Sequence, residues 1–246
     1  MADVRLRFLG CGDAFAAGGR FQTSFLLDGG DQPLLIDCGA STLIALKRQG
    51  IEPSSIGCVL LSHLHGDHYG GLPWLVLDGQ FAKRTRPLVI AGPPETEARF
   101  GRAFEALYPG ATGASRPFDI HVVEMIERVP RTVGPAVLTT FAVVHTPGTH
   151  PHALRVEYGG KVIAYSGDTE WTDALLDAAD GADLFVCECQ EYQRRVPGHL
   201  DFLTLSEKRA QLGCRRLILT HLGEEMLARA GELDVEAAED GMVVEV

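Results

Sequence analysis

The residues with the clearest chemical potential are three histidines and one aspartate within six positions. They follow the apolar run CVLLS in the pattern HxHxDH, which comprises His63, His65, Asp67 and His68. Residues two apart on an extended backbone point to the same side, so His63 and His65 can face one ion. Asp67 and His68 come from the following turn and can face a second ion. Packing alone gives no reason to gather so many polar groups at the end of an apolar strand, so the run predicts a metal site.

The ligand types indicate which metals would bind. Imidazole nitrogens and carboxylate oxygens suit zinc, manganese and iron. No cysteine lies within the run, which argues against a closed structural zinc site. We therefore expect two divalent transition-metal ions, with zinc as the first candidate and manganese or iron as alternatives.

Further ligands should lie at other strand ends, because four ligands on one loop cannot complete two coordination spheres. His145, Asp168 and His221 each stand where an apolar, strand-like run passes into a loop. A carboxylate such as Asp168 can bridge two cations about 3.5–4 Å apart, a separation typical of two-metal hydrolases. Such a pair would lower the pKa of a shared water and supply a bridging hydroxide at neutral pH. The sequence therefore predicts a binuclear hydrolase.

Short apolar runs closed by Gly, Asp or His predict the strands that position these residues. Helical spacing predicts helices over 41–50, 95–107 and 202–212. Strands with interspersed helices in two rough halves favour an α/β fold, a four-layer αβ/βα sandwich. The length of 246 residues is compatible with one hydrophobic core, so residues 1–246 are expected to form a single domain.

The composition of the chain limits the classes of partner that it is expected to bind. The formal charge of −11 disfavours extended nucleic-acid binding, because an acidic surface repels phosphate backbones. No apolar run approaches the roughly 20 residues of a membrane-spanning helix, and the N-terminus lacks a signal-peptide pattern. We therefore expect a cytoplasmic protein with no membrane partner.

The six scattered cysteines are expected to be reduced and mostly buried. Trp74 and Phe81 are expected to be core residues.

A family resemblance rests on motifs distributed along nearly the whole chain. The segments are FLGCGDAF near the start, IDCG at 36–39, LLSHLHGDHYGGLP at 60–73, VVH at 143–145, YSGDT at 165–169 and LILTH at 217–221. In order and spacing they resemble the successive motifs of the metallo-β-lactamase superfamily. The N-terminal third is most similar to the branch that contains ribonuclease Z and related phosphodiesterases.

The resemblance implies which residues share a metal. His63, His65 and His145 would hold one ion, and Asp67, His68 and His221 would hold the other. Asp168 would bridge the two ions. Asp37 of IDCG would lie behind the site and fix a ligand imidazole, since a metal-bound histidine needs its other N–H accepted. An ordinary aspartate in a turn at the end of a strand is the alternative interpretation of Asp37.

Two residues are expected to take part in catalysis. Asp67 would do so from its position in the metal loop. His199 resembles a histidine that this branch uses for the leaving group or for phosphate binding. Leu200 and Asp201, which follow His199, depart from the usual motif of the branch, so a solvent-facing loop histidine is the alternative.

The substrate is expected to be small. Ribonuclease Z carries a long basic arm for tRNA between the third ligand motif and the bridging aspartate, whereas Asp168 follows His145 by only 23 positions. This spacing allows a hairpin, so tRNA processing is not expected. A small phosphodiester, such as a cyclic nucleotide or another organophosphate ester, is the favoured substrate.

Other functions remain open from the sequence. The same metals could hydrolyse a carboxylic ester, a lactone or a thioester. A di-iron oxidoreductase is disfavoured, because that class usually has glutamate where His65 stands. A catalytically silent metal-binding module is disfavoured because all seven ligand positions are filled. Members of the resembled superfamily are often dimers, so a homodimer is one of the expected partners.

Overall fold

The structure is a computed structural model that describes residues 3–30 and 32–246. Its strands are β1 (Arg5–Gly10), β2 (Ser24–Asp28), β3 (Leu34–Ile36), β4 (Cys58–Leu60), β5 (Leu88–Gly92), β6 (Ile120–Glu124), β7 (Arg131–Val133), β8 (Ala136–Ala142), β9 (His152–Tyr158), β10 (Lys161–Tyr165), β11 (Leu184–Glu188), β12 (Leu217–Thr220), β13 (Glu236–Ala237) and β14 (Val243–Glu245). Its α-helices are α1 (Thr42–Arg48), α2 (Gly66–Tyr69), α3 (Leu72–Phe81), α4 (Thr96–Leu107), α5 (Ala174–Ala179), α6 (Phe202–Lys208) and α7 (Glu224–Ala228).

Two mixed sheets form the centre of the fold. The first has the order β14-β1-β2-β3-β4-β5-β6 and the second β13-β12-β11-β10-β9-β8-β7. Apolar side chains from both sheets pack together between them, including Phe8, Phe25 and Tyr165, whose neighbouring rings lie 5.1 Å apart. A second apolar cluster joins the first sheet to α3 and α4, and a third joins the second sheet to α5 and α6. The order of layers is therefore helix, sheet, sheet, helix, which confirms the predicted αβ/βα sandwich.

Strand direction brings several strand ends to one edge. In the first sheet β3, β4, β5 and β6 run parallel, so each connection crosses back over the sheet. In the second sheet β10, β11 and β12 run parallel, and β8 has the same direction because both β8 and β10 pair antiparallel with β9. The carboxyl ends of β8, β10, β11 and β12 therefore lie at a common edge. That edge receives the loops that carry His145, Asp168 and His221.

The predicted helices are present, with small differences in their ends. The helix predicted over 95–107 spans Thr96–Leu107. The helix predicted over 202–212 ends at Lys208 and continues as a short 3-10 turn over Arg209–Gln211. The segment between His145 and Asp168 forms the hairpin β9–β10, as its length predicts.

The expectation for Phe81 was wrong. Trp74 is half-buried, but Phe81 is 79% exposed. Leu72, Leu75, Val76 and Gly79 form the buried face of α3, with helical spacing. Phe81 is the last residue of the helix and lies off that face, so an apolar residue type did not determine its burial.

Two further expectations concern thiols and membranes. Of the six cysteines, Cys214 is half-buried and the other five are buried, as predicted. Among the described residues, no helix is both long enough and apolar enough to cross a bilayer.

Candidate metal centre

The HxHxDH run lies where the chain leaves β4 and turns into α2. His63 and His65 precede α2 on non-helical backbone, and Asp67 and His68 belong to its single turn. Gly39 and Gly71 allow this turn to pack closely, because a Cβ on Gly39 would lie 2.0 Å from the Asp67 carbonyl oxygen. The local backbone therefore directs two pairs of side chains toward one place.

The structure brings all seven predicted ligands together in two adjoining groups. His63, His65 and His145 form the first group. Asp67, His68, Asp168 and His221 form the second. Within each group the candidate ligand atoms lie within 4.8 Å of one another, so each group could hold a metal ion. In the first group, His65 Nδ1 lies 3.2 Å from His63 Nε2 and 3.0 Å from His145 Nε2.

Asp168 lies between the two groups. Its Oδ2 atom is 3.2 Å from His68 Nε2 and 3.3 Å from His221 Nε2, both in the second group. The same atom is 3.8 Å from His63 Nε2 and 3.9 Å from His145 Nε2, in the first group. A single carboxylate thus faces the ligand nitrogens of both groups, which is the geometry that a bridging ligand requires.

Two imidazoles of the cluster are oriented by Asp37. Its Oδ2 accepts a hydrogen bond from His68 Nδ1 at 2.7 Å and another from Ser62 Oγ at 2.7 Å. Because the Ser62 hydroxyl donates to Asp37, its oxygen accepts from His63 Nδ1 at 3.0 Å. Asp37 therefore acts behind the cluster rather than as an ordinary turn residue.

Two other imidazoles have different partners. His145 Nδ1 donates to the carbonyl oxygen of Gly198 at 2.7 Å. Thr23 Oγ1 donates to the Gly12 carbonyl oxygen at 2.9 Å, so it accepts from His221 Nδ1 at 3.2 Å. In all four rings Nδ1 donates to a partner behind the cluster, and Nε2 points into the cluster. This is the arrangement in which outer partners prepare a histidine for metal binding.

Two buried polar atoms without partners indicate whether the cluster suits a cation. His68 Nε2 and Asp168 Oδ1 are buried and have no hydrogen-bond partner within residues 3–30 and 32–246. When His68 Nδ1 donates to Asp37, a neutral ring presents the Nε2 lone pair to Asp67 Oδ2 at 3.1 Å and Asp168 Oδ2 at 3.2 Å. Lone pairs at this distance repel each other unless a proton or a cation lies between them. The donor set therefore fits a divalent ion, with nitrogen and oxygen ligands of the kind that zinc accepts.

The pKa shifts reflect the same concentration of negative charge. Burial acts against protonation of His68, but Asp168, Asp67 and Asp37 together raise its pKa well above the ordinary value. Burial alone would raise the pKa of Asp168, yet His221 and His68 hold it well below the usual range. Burial lowers the pKa of His63 well below its ordinary value. The cluster thus keeps its carboxylates ionised and attracts positive charge.

His199 borders the cluster and has a buried acidic partner. Its ring is stacked on His221 with centroids 5.5 Å apart and lies edge-on to His145 at 4.8 Å. Its Nδ1 is 3.2 Å from Glu188 Oε1, and Glu188 is fully buried at the end of β11. Burial opposes protonation of His199, but the hydrogen bond and charge of Glu188 outweigh it and raise its pKa to about 9. Glu188 therefore favours the protonated form of the His199 ring.

Sequence reasoning missed Glu188, Ser62 and Thr23. Glu188 stands in the apolar segment LFVCEC, and one acidic residue in a buried strand was the signal that could have identified it. Its carboxylate also accepts a hydrogen bond from the Thr169 backbone N–H, beside Asp168. Ser62 immediately precedes the motif, whereas Thr23 is distant in sequence and carries no signal.

Comparisons with known proteins identify the family and several relatives of this chain. The family model described as "Anti-Pycsar protein Apyc1" matches residues 4–238. The protein Rv1339 of Mycobacterium tuberculosis is 33% identical over 231 residues, which cover 90% of this chain and 82% of Rv1339. A ribonuclease Z of Lachnoclostridium phytofermentans is 26% identical over 273 residues, covering 90% of this chain and 87% of the enzyme.

A solved structure extends the similarity to the fold. The metallo-β-lactamase fold protein YhfI from Bacillus subtilis superimposes with a TM-score of 0.80 at 24% identity. The superposition covers 99% of this chain and 100% of YhfI. The two sheets and their flanking helices therefore form a metallo-β-lactamase fold.

Substitution of Thr23 by valine tests the outer layer of the cluster. Valine has a similar shape but no hydroxyl, so His221 Nδ1 loses its acceptor and the ring its fixed orientation. We expect the affinity of the second group for Zn²⁺ to fall roughly 10–100-fold, as measured by competition with a chromophoric chelator. Thr23→Ser restores the hydroxyl and should restore the affinity. Equal Zn²⁺ affinities in the valine variant and the original protein would contradict the role assigned to Thr23.

Proposed function

This chain belongs to the anti-Pycsar protein Apyc1 family and to the metallo-β-lactamase superfamily, and we propose that it is a binuclear metal-dependent phosphodiesterase acting on small phosphodiesters. The observation that carries the proposal is the position of Asp168 Oδ2 among four imidazole Nε2 atoms from two ligand groups. One carboxylate shared in this way suits two ions.

The proposed ligand assignment follows the two groups. His63, His65 and His145 hold one ion, Asp67, His68 and His221 hold the other, and Asp168 bridges them. Divalent ions bound there would supply Lewis acidity and a water of lowered pKa, which is the chemistry of hydrolysis. All seven ligands are nitrogen or oxygen donors, which zinc accepts, so zinc is the first candidate. Manganese and iron accept the same ligands and are the alternatives.

Asp67 has a second role in this proposal. Burial works against its ionisation, but the charge and hydrogen bond of His68 hold the pKa of Asp67 well below the ordinary range. An aspartate with so low a pKa cannot donate a proton at neutral pH. Its free carboxylate oxygen can accept a hydrogen bond from the attacking water and orient it toward phosphorus.

His199 supplies the proton that the leaving oxygen needs. Glu188 occupies Nδ1 and keeps the ring protonated, so Nε2 is the nitrogen that can donate to a leaving group. The P–O bond to the leaving group breaks as this proton moves to the departing oxygen, and the ring becomes neutral. Such a general acid contributes typically 10²–10⁴-fold to the rate and matters most for poor leaving groups.

A small substrate is supported by charge and by the β9–β10 connection. The net charge of −11 works against binding a long polyanion. The connection between His145 and Asp168 is a short hairpin, which leaves no arm at that position to grip RNA. The relative named ribonuclease Z acts on a phosphodiester according to its name, and we assign this chain the same bond type in a smaller molecule.

Paired substrates test the proposal. We expect protein reconstituted with Zn²⁺, Mn²⁺ or Fe²⁺ to hydrolyse bis(p-nitrophenyl) phosphate faster than a chromogenic lactone. Asp168→Ala should abolish this activity because both groups lose their shared ligand. Asp177→Ala, at a half-exposed carboxylate on α5, is the matched control and should retain it. Faster lactone hydrolysis would instead support the acyl-hydrolase alternative, and no turnover of either would support a silent metal-binding module.

Substitution of Glu188 by glutamine tests the role of His199 as the general acid, through the pH dependence of the rate. Activity requires protonated His199, so kcat falls as pH rises through the pKa of His199. Because Glu188 raises that pKa, removing its charge lowers it, and the alkaline limb of the pH–rate profile should move to lower pH. His199→Ala should remove the limb. An alkaline limb at the same pH in Glu188→Gln and the unchanged protein would refute this assignment.

A further inference from the structure

Tyr165 places a hydroxyl in the apolar layer between the two sheets. It is the last residue of β10 and is fully buried, and its ring lies 5.1 Å from that of Phe25. Its hydroxyl has no hydrogen-bond partner in residues 3–30 and 32–246. A buried polar group without a partner is destabilising, whereas phenylalanine would fill the same space without that cost. The hydroxyl therefore needs a partner that the described side chains do not supply.

Two other buried oxygens at this edge are in the same condition. Asp168 Oδ1 and Thr220 Oγ1 are buried and form no hydrogen bond with the part of the chain that the structure describes. Asp168 follows Tyr165 by three positions, and Thr220 is the last residue of β12. Because none of the three oxygens bonds to another, they do not satisfy one another directly.

The register of the strands places these groups on the inner side of the second sheet. Tyr165, Val186 and Ile218 are paired across β10, β11 and β12, and all three pack between the sheets. Side chains alternate along a strand, so Thr220, two residues after Ile218, faces the same layer. Asp168 follows the end of β10 at the same edge. The three oxygens therefore lie beneath the metal cluster, where the inner layer meets the edge.

Electrostatics also place the Tyr165 hydroxyl beneath the cluster. Burial raises the pKa of Tyr165 well above its ordinary value, and the charges of Asp37, Asp168, Glu188 and Asp67 raise it further. These four carboxylates belong to the cluster or border it, so the hydroxyl lies within electrostatic range of all of them. A phenol with a raised pKa keeps its proton, so this hydroxyl is available as a hydrogen-bond donor.

We propose that a buried water molecule lies beneath the cluster and joins the hydroxyls of Tyr165 and Thr220 to Asp168 Oδ1. Both hydroxyls donate to the water oxygen, and the water donates one of its protons to Asp168 Oδ1. Buried waters make about three hydrogen bonds to polar groups that otherwise lack partners, and these three oxygens supply that number. Tyr165 and Thr220 are positioning residues, which act on Asp168 through the water.

The water gives the two oxygens of Asp168 separate partners. Oδ2 faces the imidazole nitrogens of both ligand groups, and Oδ1 accepts from the water. A carboxylate that is held through its second oxygen keeps its orientation, and groups that hydrogen-bond to metal ligands contribute about 10–100-fold to metal affinity. The inference rests on the proposed role of Asp168 as a bridging ligand and not on the substrate.

Substitution of Tyr165 by phenylalanine removes only the hydroxyl. We expect the affinity of the second ligand group for Zn²⁺ to fall roughly tenfold, as measured by competition with a chromophoric chelator. The Tm of the metal-stripped protein should fall by about 2–4 °C, because the water loses a donor.

Tyr158→Phe is the matched control. The Tyr158 hydroxyl accepts from the Gly30 N–H at 2.9 Å and donates to the Gln32 carbonyl oxygen at 3.0 Å. Tyr158 pairs with Lys161, the first residue of β10, so it lies at the opposite end of the sheet from the cluster. This variant should lower the Tm and leave the affinity for Zn²⁺ unchanged.

The sign of the change in Tm separates the proposal from a hydroxyl that simply lacks a partner. In that case Tyr165→Phe would raise the Tm or leave it unchanged, with the same affinity for Zn²⁺, and the inference would be overturned. A lower Tm with an unchanged affinity for Zn²⁺ would overturn it as well, because the hydroxyl would then have only a structural role.

Substitution of Thr220 tests whether the two hydroxyls share one water. Thr220→Val should weaken the binding of Zn²⁺ in the same way, and Thr220→Ser, which keeps the hydroxyl, should retain it. Because both hydroxyls bind one water, Tyr165→Phe and Thr220→Val together should lower the affinity by less than the product of the two separate losses. Losses that multiply would contradict a shared water.

A crystal structure of the Zn²⁺-loaded protein tests the water directly. It should show a water within about 3.2 Å of Tyr165 Oη, Thr220 Oγ1 and Asp168 Oδ1. No water density between these atoms would overturn the inference. None of these measurements uses turnover, so if no phosphodiester is hydrolysed, the proposed function fails while the affinity for Zn²⁺ and the position of the water still decide this inference.

Discussion

The concentration of buried carboxylates and imidazoles at one edge of the two sheets is the constraint on which the rest of the structure depends. Asp168 Oδ2 faces four imidazole nitrogens, and Asp67 faces one of them. Buried charges are costly unless they are paired or coordinate a metal. This edge is therefore suited to bind cations. The strands β10, β11 and β12 run parallel, so their carboxyl ends place Asp168, Glu188 and His221 at this edge.

The outer layer determines what the inner layer can do. Ser62, Asp37, Thr23 and the Gly198 carbonyl each accept an Nδ1 proton, so these partners direct the Nε2 atoms of four rings into the cluster. Gly198 links this layer to the proposed chemistry, because it immediately precedes His199. The same short loop thereby orients a proposed metal ligand and carries the proposed general acid, and its N–H is held by Glu170 at 2.9 Å.

Part of this site could be predicted from the sequence, and the rest depends on distant contacts. The HxHxDH motif was recognisable because its polar residues interrupt an apolar strand, and His145, Asp168 and His221 were recognisable because each follows such a strand. Dividing the seven ligands between two ions needed the family resemblance. Thr23 acts through His221, far away in sequence, so no local pattern indicates its role. For Glu188 the only local signal is an acidic residue within an apolar strand, and its partner His199 could not be read from that signal. Phe81 shows the opposite error. Its apolar residue type was taken as evidence of burial, although Phe81 lies off the buried face of α3. The single domain, the cytoplasmic location and a homodimer still rest on the sequence alone.

Metal stoichiometry tests the central claim most directly. Purified protein, stripped with a chelator and reconstituted with Zn²⁺, would be freed of loosely bound ions and measured by elemental mass spectrometry against protein concentration. The account predicts two ions per chain in the unchanged protein, because Asp168 completes two ligand groups. A reconstituted chain that binds no ion, or that binds one ion at saturation, would contradict the binuclear centre.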